Sequence, residues 1–330
     1  MGRITDGPDV VVLREGTEGL GMAPYAEALG ERLDGFDVRL ARTPDEERDL
    51  AADAPVVTGV GVDDRLLDGA DALRLFACVF SGTDHVPADR LASAGAALTN
   101  AGGIHAPGIA EQVLAYCLTF ARRLHVGFRR RERHEWRHYR AGELKDATVT
   151  VVGLGSIGTE TVARLKPFDV TTLGVRYTPE KGGPTDEVFG FDRIHDALAR
   201  TDYLVLACPL TDATRGLIDA AALATLPTEA VVVNVARGGV VDTGALVDAL
   251  GRNGIRGAAL DVTDPEPLPP DHPLWRMENC LITPHVGGST PRHWERMAEI
   301  AAHNARVVAE GGDPSDLRNL VRAPEGSGWP

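Results

Sequence analysis

The sequence predicts an α/β protein made of two doubly wound parallel-sheet domains. Three observations carry that expectation. The chain has 330 residues, long for one compact domain. Short apolar runs alternate with helical patterns from residue 10 onward. A Gly-x-Gly-x-x-Gly turn at 153–158 opens a second and more apolar series.

In the first series "VVVLRE" (10–15) reads as a strand, followed by a helical pattern through "APYAEALGERL" (23–33). "DVRLA" (37–41) and "APVVTGV" (54–60) follow as strands, then a helical "DDRLLDGA" (63–70) and the strand "LRLFACVF" (73–80). Residues 102–139 read as one long helix linking the domains. Pro107 suits its first turn, and Ile109, Val113, Leu114, Cys117 and Phe120 recur at helical spacing. Its Arg-rich part, Arg129 to Arg140, is interleaved with Glu132, Glu135 and Trp136, which suits a solvated or subunit-contact face better than a nucleic-acid patch.

From residue 148 come six fully apolar strands: "TVTVVGL", "DVTTLGV", "YLVLAC", "AVVVNVA", "GAALDV" and "CLITPHV". Runs this apolar suit a parallel sheet covered on both faces. After 290 a helix leads the chain out, and 312–330 reads as a polar, proline-containing tail. The expected division is a Rossmann-type nucleotide-binding domain at 102–290, inserted in a smaller flavodoxin-like substrate domain formed by 1–101 and 291–330.

Composition narrows the function classes. With 34 basic and 48 acidic residues the formal charge is −14, so nucleic acid is an unfavourable partner. Only Lys145, Lys166 and Lys181 are lysines. An acidic, lysine-poor chain suits a saline cytoplasm, although a GC-rich genome gives the same arginine bias. There is no apolar run of membrane-spanning length and no signal-peptide pattern, so the expectation is a soluble cytoplasmic protein without a membrane partner. Cys78, Cys117, Cys208 and Cys280 are widely spaced, which suggests buried thiols rather than a disulfide framework or a metal site.

The glycine turn follows a strand and opens a helix, as pyrophosphate binding requires. Gly153 permits the tight turn, Gly155 lets the backbone approach the phosphates, and Gly158 packs helix on strand. About 20 residues further on, an Asp or Glu normally accepts bonds from the ribose hydroxyls. Here "LGVRYT" (173–178) offers Arg176, whose fork suits a 2′-phosphate. That points to NADP(H) over NAD(H), with use of both left open. Arg237, then Asp261 with Glu266, then His285 fall at the ends of three successive strands. A guanidinium matches a carboxylate, a carboxylate can orient an imidazole, and His carries protons near neutrality. Each alone has a structural explanation; together at the ends of one nucleotide-binding sheet they point to catalysis.

The stretches "VVGLGSIG", "CPLTDATRGLI" (208–218), "VVNVARGGVVD" (232–242), "ALDVTDPEPLPPDHPLW" (259–275), "LITPHVGGST" (281–290) and "TNAGGIHAPGIAEQVL" (99–114) resemble those of the D-isomer-specific 2-hydroxyacid dehydrogenase family. That family includes glyoxylate/hydroxypyruvate reductases and phosphoglycerate dehydrogenases. The resemblance implies hydride transfer between a nicotinamide dinucleotide and a 2-keto acid. Arg237 would clamp the substrate carboxylate, His285 would give or take the proton, Glu266 would hydrogen-bond His285, and Asp261 would bind the nicotinamide carboxamide. Gly153, Gly155, Ser156, Ile157, Gly158, Arg176, Cys208, Pro209, Thr214, Val235, Ala236 and Gly288 would join Asp261 around the cofactor. Phe80, Ser81, Gly82 and Asn100 would contact substrate with Arg237 and His285, and the subunits would form a homodimer. Gly102-Gly103 departs from the Pro-Gly common after that asparagine. A dinucleotide-sensing corepressor and a phosphite or phosphoglycerate dehydrogenase remain as alternatives; a formate dehydrogenase would carry glutamine where Glu266 stands.

Overall fold

The computed structural model describes residues 7–16 and 21–326, so the first six residues, used in the targeting argument, and the last four of the tail lie outside the described chain. In order come β1 (Val10–Val12), α1 (Ala23–Arg32), β2 (Val38–Leu40), α2 (Pro44–Ala51), β3 (Val56–Gly59), α3 (Asp64–Leu67), β4 (Leu75–Cys78), α4 (Ala88–Ser93) and β5 (Ala97–Thr99). Next are α5 (Ala106–Ala121), α6 (Leu124–Glu132), β6 (Thr148–Val152), α7 (Ser156–Leu165), β7 (Thr171–Val175), β8 (Glu187–Phe189), α8 (Ile194–Leu198) and β9 (Tyr203–Leu206). The chain continues through α9 (Ala220–Thr225), β10 (Val231–Asn234), α10 (Thr243–Gly251), β11 (Gly257–Leu260), β12 (Cys280–Ile282), α11 (His293–Ala309) and β13 (Leu320–Arg322).

The described residues up to Ile104 and those from Thr290 form one compact unit, and His105–Ser289 form a second. The first carries a six-stranded sheet, β13-β5-β4-β3-β1-β2. Its first five strands are parallel in a flavodoxin-like order, 2-1-3-4-5, and β13 pairs antiparallel with β5. The second carries seven parallel strands, β12-β11-β10-β9-β6-β7-β8. This is the Rossmann arrangement, with strand order reversing between β6 and β9, where such folds place ligands.

The apolar strands arise because both faces of each sheet are covered. Val10 and Val12 pack with α1 and α11, whereas Val11 between them packs with Leu66, Leu91 and Leu98. In β6, Val152 faces the side of α8 to α10, and Val149 and Val151 face α5 and α7. Successive side chains point to opposite faces, so burial of both leaves no polar alternation.

The structure corrects three readings. The segment 102–139 is not one helix: α5 ends at Ala121, Arg123 turns left-handed at φ 53°, and α6 restarts at Leu124. The buried stripe Val113, Tyr116, Cys117 and Phe120 stops there, and α6 buries none of its residues, so no core contact holds one continuous axis. The segment beyond 312, expected as a polar and proline-containing tail, also forms a strand, β13, which closes an edge of the first sheet. The second sheet has a seventh strand, β8, at its outer edge beyond β7. Among the described residues no helix is long and apolar enough to cross a membrane.

Candidate active site

The turn between β6 and α7 is built by its glycines. Gly153 has φ +96°, and a Cβ there would lie 2.7 Å from the Ala207 carbonyl at the exit of β9. A Cβ on Gly158 would lie 1.9 Å from the Gly153 oxygen, so α7 packs directly on the turn that starts it. Gly155 differs: nothing lies within 4 Å of its would-be Cβ. The backbone there faces open space in front of the first-turn amides of α7, which suits a dinucleotide phosphate.

Two cavities meet at this turn. One, of about 510 Å³, is lined by Ser156, Ile157, Val235, Ala236 and Arg237 as well as Gly155, Cys208 and Pro209. The other, of about 450 Å³, shares Gly155, Cys208 and Pro209 and reaches Gly153, Arg176 and Thr214. Together they form a trough across the carboxyl ends of β6, β7, β9 and β10. Its middle wall is braced from within, since the Thr214 hydroxyl donates to the Pro209 carbonyl at 2.6 Å and accepts from the Thr211 amide at 2.8 Å. Burial pushes the Cys208 thiol up to about 11. At the far rim the Arg176 side chain donates to the Gly182 carbonyl at 2.6 Å. Leu154, Tyr177, Thr178, Phe191, Leu210 and Thr211 also line the trough, although they were not among the expected residues. Most lie inside or beside the recognised motifs; Phe191 has no sequence signal.

The acid–base pair lies on the loops after β11 and β12. His285 Nδ1 donates to Glu266 Oε1 at 2.6 Å, with both side chains roughly half exposed. His285 has a left-handed backbone, φ 53°, unusual for a residue with a Cβ. Neighbouring bonds to Asp261 hold it there. The His285 amide donates to the Asp261 carbonyl at 2.8 Å. Asp261 Oδ1 accepts from the Thr283 hydroxyl at 2.5 Å and the Val286 amide at 3.0 Å, and Oδ2 accepts from the Gly287 amide at 2.8 Å. The Thr283 hydroxyl also bonds the Tyr116 hydroxyl of α5, and burial raises the Tyr116 phenol above its ordinary value. Asp261 is only 3 % exposed and lines neither cavity of the trough; in this structure its carboxylate organises the histidine loop.

Arg237 follows β10 on a turn pinned by buried Asn234, whose amide nitrogen donates to the Arg237 carbonyl at 3.0 Å. The same turn presses on the Glu266 loop: a Cβ on Gly238 would fall 2.0 Å from the Thr263 carbonyl carbon. The Arg237 guanidinium donates to the Ala236 carbonyl at 2.7 Å and makes no ion pair among the described residues, which leaves a fork for a carboxylate. Gly288 also stands outside the trough, its carbonyl accepting from His105 Nδ1 at 2.9 Å. In the first unit Asn100 gathers the other expected residues. Its amide nitrogen donates to the Ser81 carbonyl at 2.7 Å, and its oxygen accepts from the Gly102 amide at 2.9 Å. The Ala101 amide donates to the Phe80 carbonyl at 3.0 Å, and Gly82 lies exposed on the same loop.

Comparison with known proteins places these features in a family. Residues 114–287, more than half of the chain, match the model of the D-isomer specific 2-hydroxyacid dehydrogenase NAD binding domain. A glyoxylate reductase of Thermofilum pendens is 34% identical over 267 residues, covering 78% of each chain. The human glyoxylate reductase/hydroxypyruvate reductase is 34% identical over 267 residues, 78% of this chain and 81% of its own. Among solved structures, a D-isomer specific 2-hydroxyacid dehydrogenase from Xanthobacter autotrophicus Py2, in complex with NADPH and MES, superposes with a TM-score of 0.73 at 27% identity, over 96% of this chain and 98% of its own. The salt-adapted character that composition suggested is not borne out by these relatives. The chain belongs to the D-isomer specific 2-hydroxyacid dehydrogenase family, as an oxidoreductase that acts on the CH–OH group of 2-hydroxy acids with a nicotinamide dinucleotide.

Proposed function

We propose that the chain reduces a small 2-keto acid to its D-2-hydroxy acid, preferring NADPH to NADH, with His285 as the proton carrier. The observation that carries this reading is the 2.6 Å bond from His285 Nδ1 to Glu266 Oε1. A ring held through Nδ1 to a carboxylate presents Nε2 outward, where it can give or take a proton. In reduction Nε2–H passes its proton to the keto oxygen; in oxidation the neutral Nε2 takes it from the hydroxyl. The dinucleotide, when bound, supplies or accepts the hydride. Arg237 binds the substrate carboxylate through its unpaired fork and steadies charge on the oxygen. Asp261 Oδ2 accepts one bond within the protein, which leaves capacity for the carboxamide.

The residue set fits the cofactor along the trough. The open face of Gly155 and the α7 amides suit the pyrophosphate, and Ser156, Ile157, Val235 and Ala236 suit the nicotinamide half. Tyr177 and Phe191 suit the adenine, and Arg176, which makes no ion pair among the described residues, suits a 2′-phosphate. In this reading the 105–289 unit holds the dinucleotide. A homodimer is supported by the apolar side chains that α6 and the following segment leave outward, Phe128 at 56 % and Trp136 at 98 % exposure. The test is a steady-state panel of 2-keto acids, each with NADPH and NADH. The expected result is turnover with higher kcat/KM for NADPH, and Arg176→Asp moving the preference toward NADH. Turnover of none of them contradicts the activity; equal efficiency with both cofactors contradicts the preference.

A further inference from the structure

Arg176 does not act alone at the rim of the trough. Its side-chain NH1 donates to the Gly182 carbonyl at 2.6 Å, and its amide donates to the Phe189 carbonyl at 3.0 Å. Gly182 ends the short 3₁₀ turn Pro179–Lys181, and its own amide returns to the Pro179 carbonyl at 2.9 Å. Its φ and ψ, 62° and −158°, lie in a region that only glycine occupies without strain. A Cβ there would meet nothing within 4 Å, so crowding does not demand the glycine. The path of the backbone does, and that path turns the carbonyl toward the guanidinium.

The turn is also seated on the dinucleotide loop. A Cβ on Gly183 would lie 2.5 Å from Leu154 Cδ1, and one on Gly174 would lie 2.6 Å from the same atom. Leu154 is therefore held between Gly174 and Gly183, and it sits between Gly153 and Gly155 in sequence. The position of the turn and the position of the phosphate loop are set by one side chain.

We propose that the 177–183 turn is a specificity-setting clasp, in which the Gly182 carbonyl aims the Arg176 fork toward the ribose 2′ position. The proposal rests on Arg176 being the 2′-phosphate ligand. Tied through NH1, the guanidinium keeps its NH2 and Nε donors for a paired contact with phosphate. It is also ordered before the ligand arrives, so less freedom is lost on binding. Gly182 and Gly183 are then positioning residues for cofactor choice.

The experiment compares the ratio of kcat/KM for NADPH to that for NADH in the wild type, Arg176→Ala, Gly182→Ala and the double variant. A ratio is insensitive to loss of active protein. The clasp predicts that Gly182→Ala lowers the ratio roughly three- to tenfold, less than the loss of a whole charge-assisted bond. It also predicts that the double variant falls no lower than Arg176→Ala, because both changes remove one unit. A Gly182→Ala ratio equal to wild type, with Arg176→Ala collapsed, overturns the clasp and leaves the phosphate reading intact; so do effects that add. An unchanged ratio in Arg176→Ala removes the phosphate reading and the clasp with it. If Gly182→Ala does not fold, Gly183→Ala decides, since its Cβ would press on Leu154 and shift the turn while Arg176 keeps its fork. A wild-type ratio in Gly183→Ala overturns the proposal.

Discussion

At the scale of the residue, the site depends on groups that orient other groups. Glu266 fixes His285 through Nδ1, and Asp261 holds the left-handed backbone on which His285 sits. Glu266→Gln keeps the shape and loses the charge, so kcat should fall roughly 10- to 100-fold with NADPH affinity unchanged. A fall in affinity of similar size would place Glu266 in binding instead. Thr283→Val leaves Asp261 Oδ1 and the Tyr116 hydroxyl each one partner short, and should cost about 1–3 kcal/mol of stability in urea titration. No loss would mean that water replaces the hydroxyl. Arg237, Glu266, His285 and Arg176 were legible because each lies in a motif whose chemistry is stated by residue type and spacing. Tyr116 and Thr283 were not legible. They are 167 positions apart, and a hydrogen bond between distant segments leaves no local pattern.

At the scale of the element, backbone proximity decides what glycine tolerates. Gly158→Ala places a Cβ 1.9 Å from the Gly153 oxygen, which no side-chain movement relieves. The variant should lose about 3 kcal/mol or more and fail to bind dinucleotide; a stable, cofactor-binding Gly158→Ala would contradict the packing of α7 on its own turn. The long buried strands were readable, because burial on both faces writes a continuous apolar run. Strands β8 and β13 were not, because β8 buries only Phe189 and β13 buries none of its residues, so neither writes an apolar run. Helix α2 buries only Ala51 and so carries no apolar stripe, yet it had a signal: Thr43 accepts from the Glu46 amide, and Glu46 accepts from the Arg42 amide. That is a Thr-x-x-Glu cap in which the glutamate reaches the amide one residue before the N-cap.

At the scale of the whole molecule, charge and burial set the response to conditions. Burial pushes the Cys117 and Cys280 thiols from 9.0 to about 12. A thiol whose folded value is raised contributes stability that is complete below the unfolded value and is lost as pH climbs toward the folded one. The melting temperature should therefore fall between about pH 9 and about pH 12, and a Cys117→Ala, Cys280→Ala chain should show a shallower fall. Identical slopes would assign the loss to other groups. The dimer reading predicts a sedimenting mass of twice 35.1 kDa, shifted toward the monomer by Trp136→Ala; a monomeric wild type would contradict it.

The most direct measurement is kcat for His285→Gln with the best 2-keto acid, taken beside the NADPH dissociation constant from nucleotide fluorescence. Glutamine keeps a polar side chain on the same backbone and cannot carry the proton. The account predicts that kcat falls by roughly 10²–10⁴ while the dissociation constant stays within about twofold. An unchanged kcat would contradict His285 as the proton carrier.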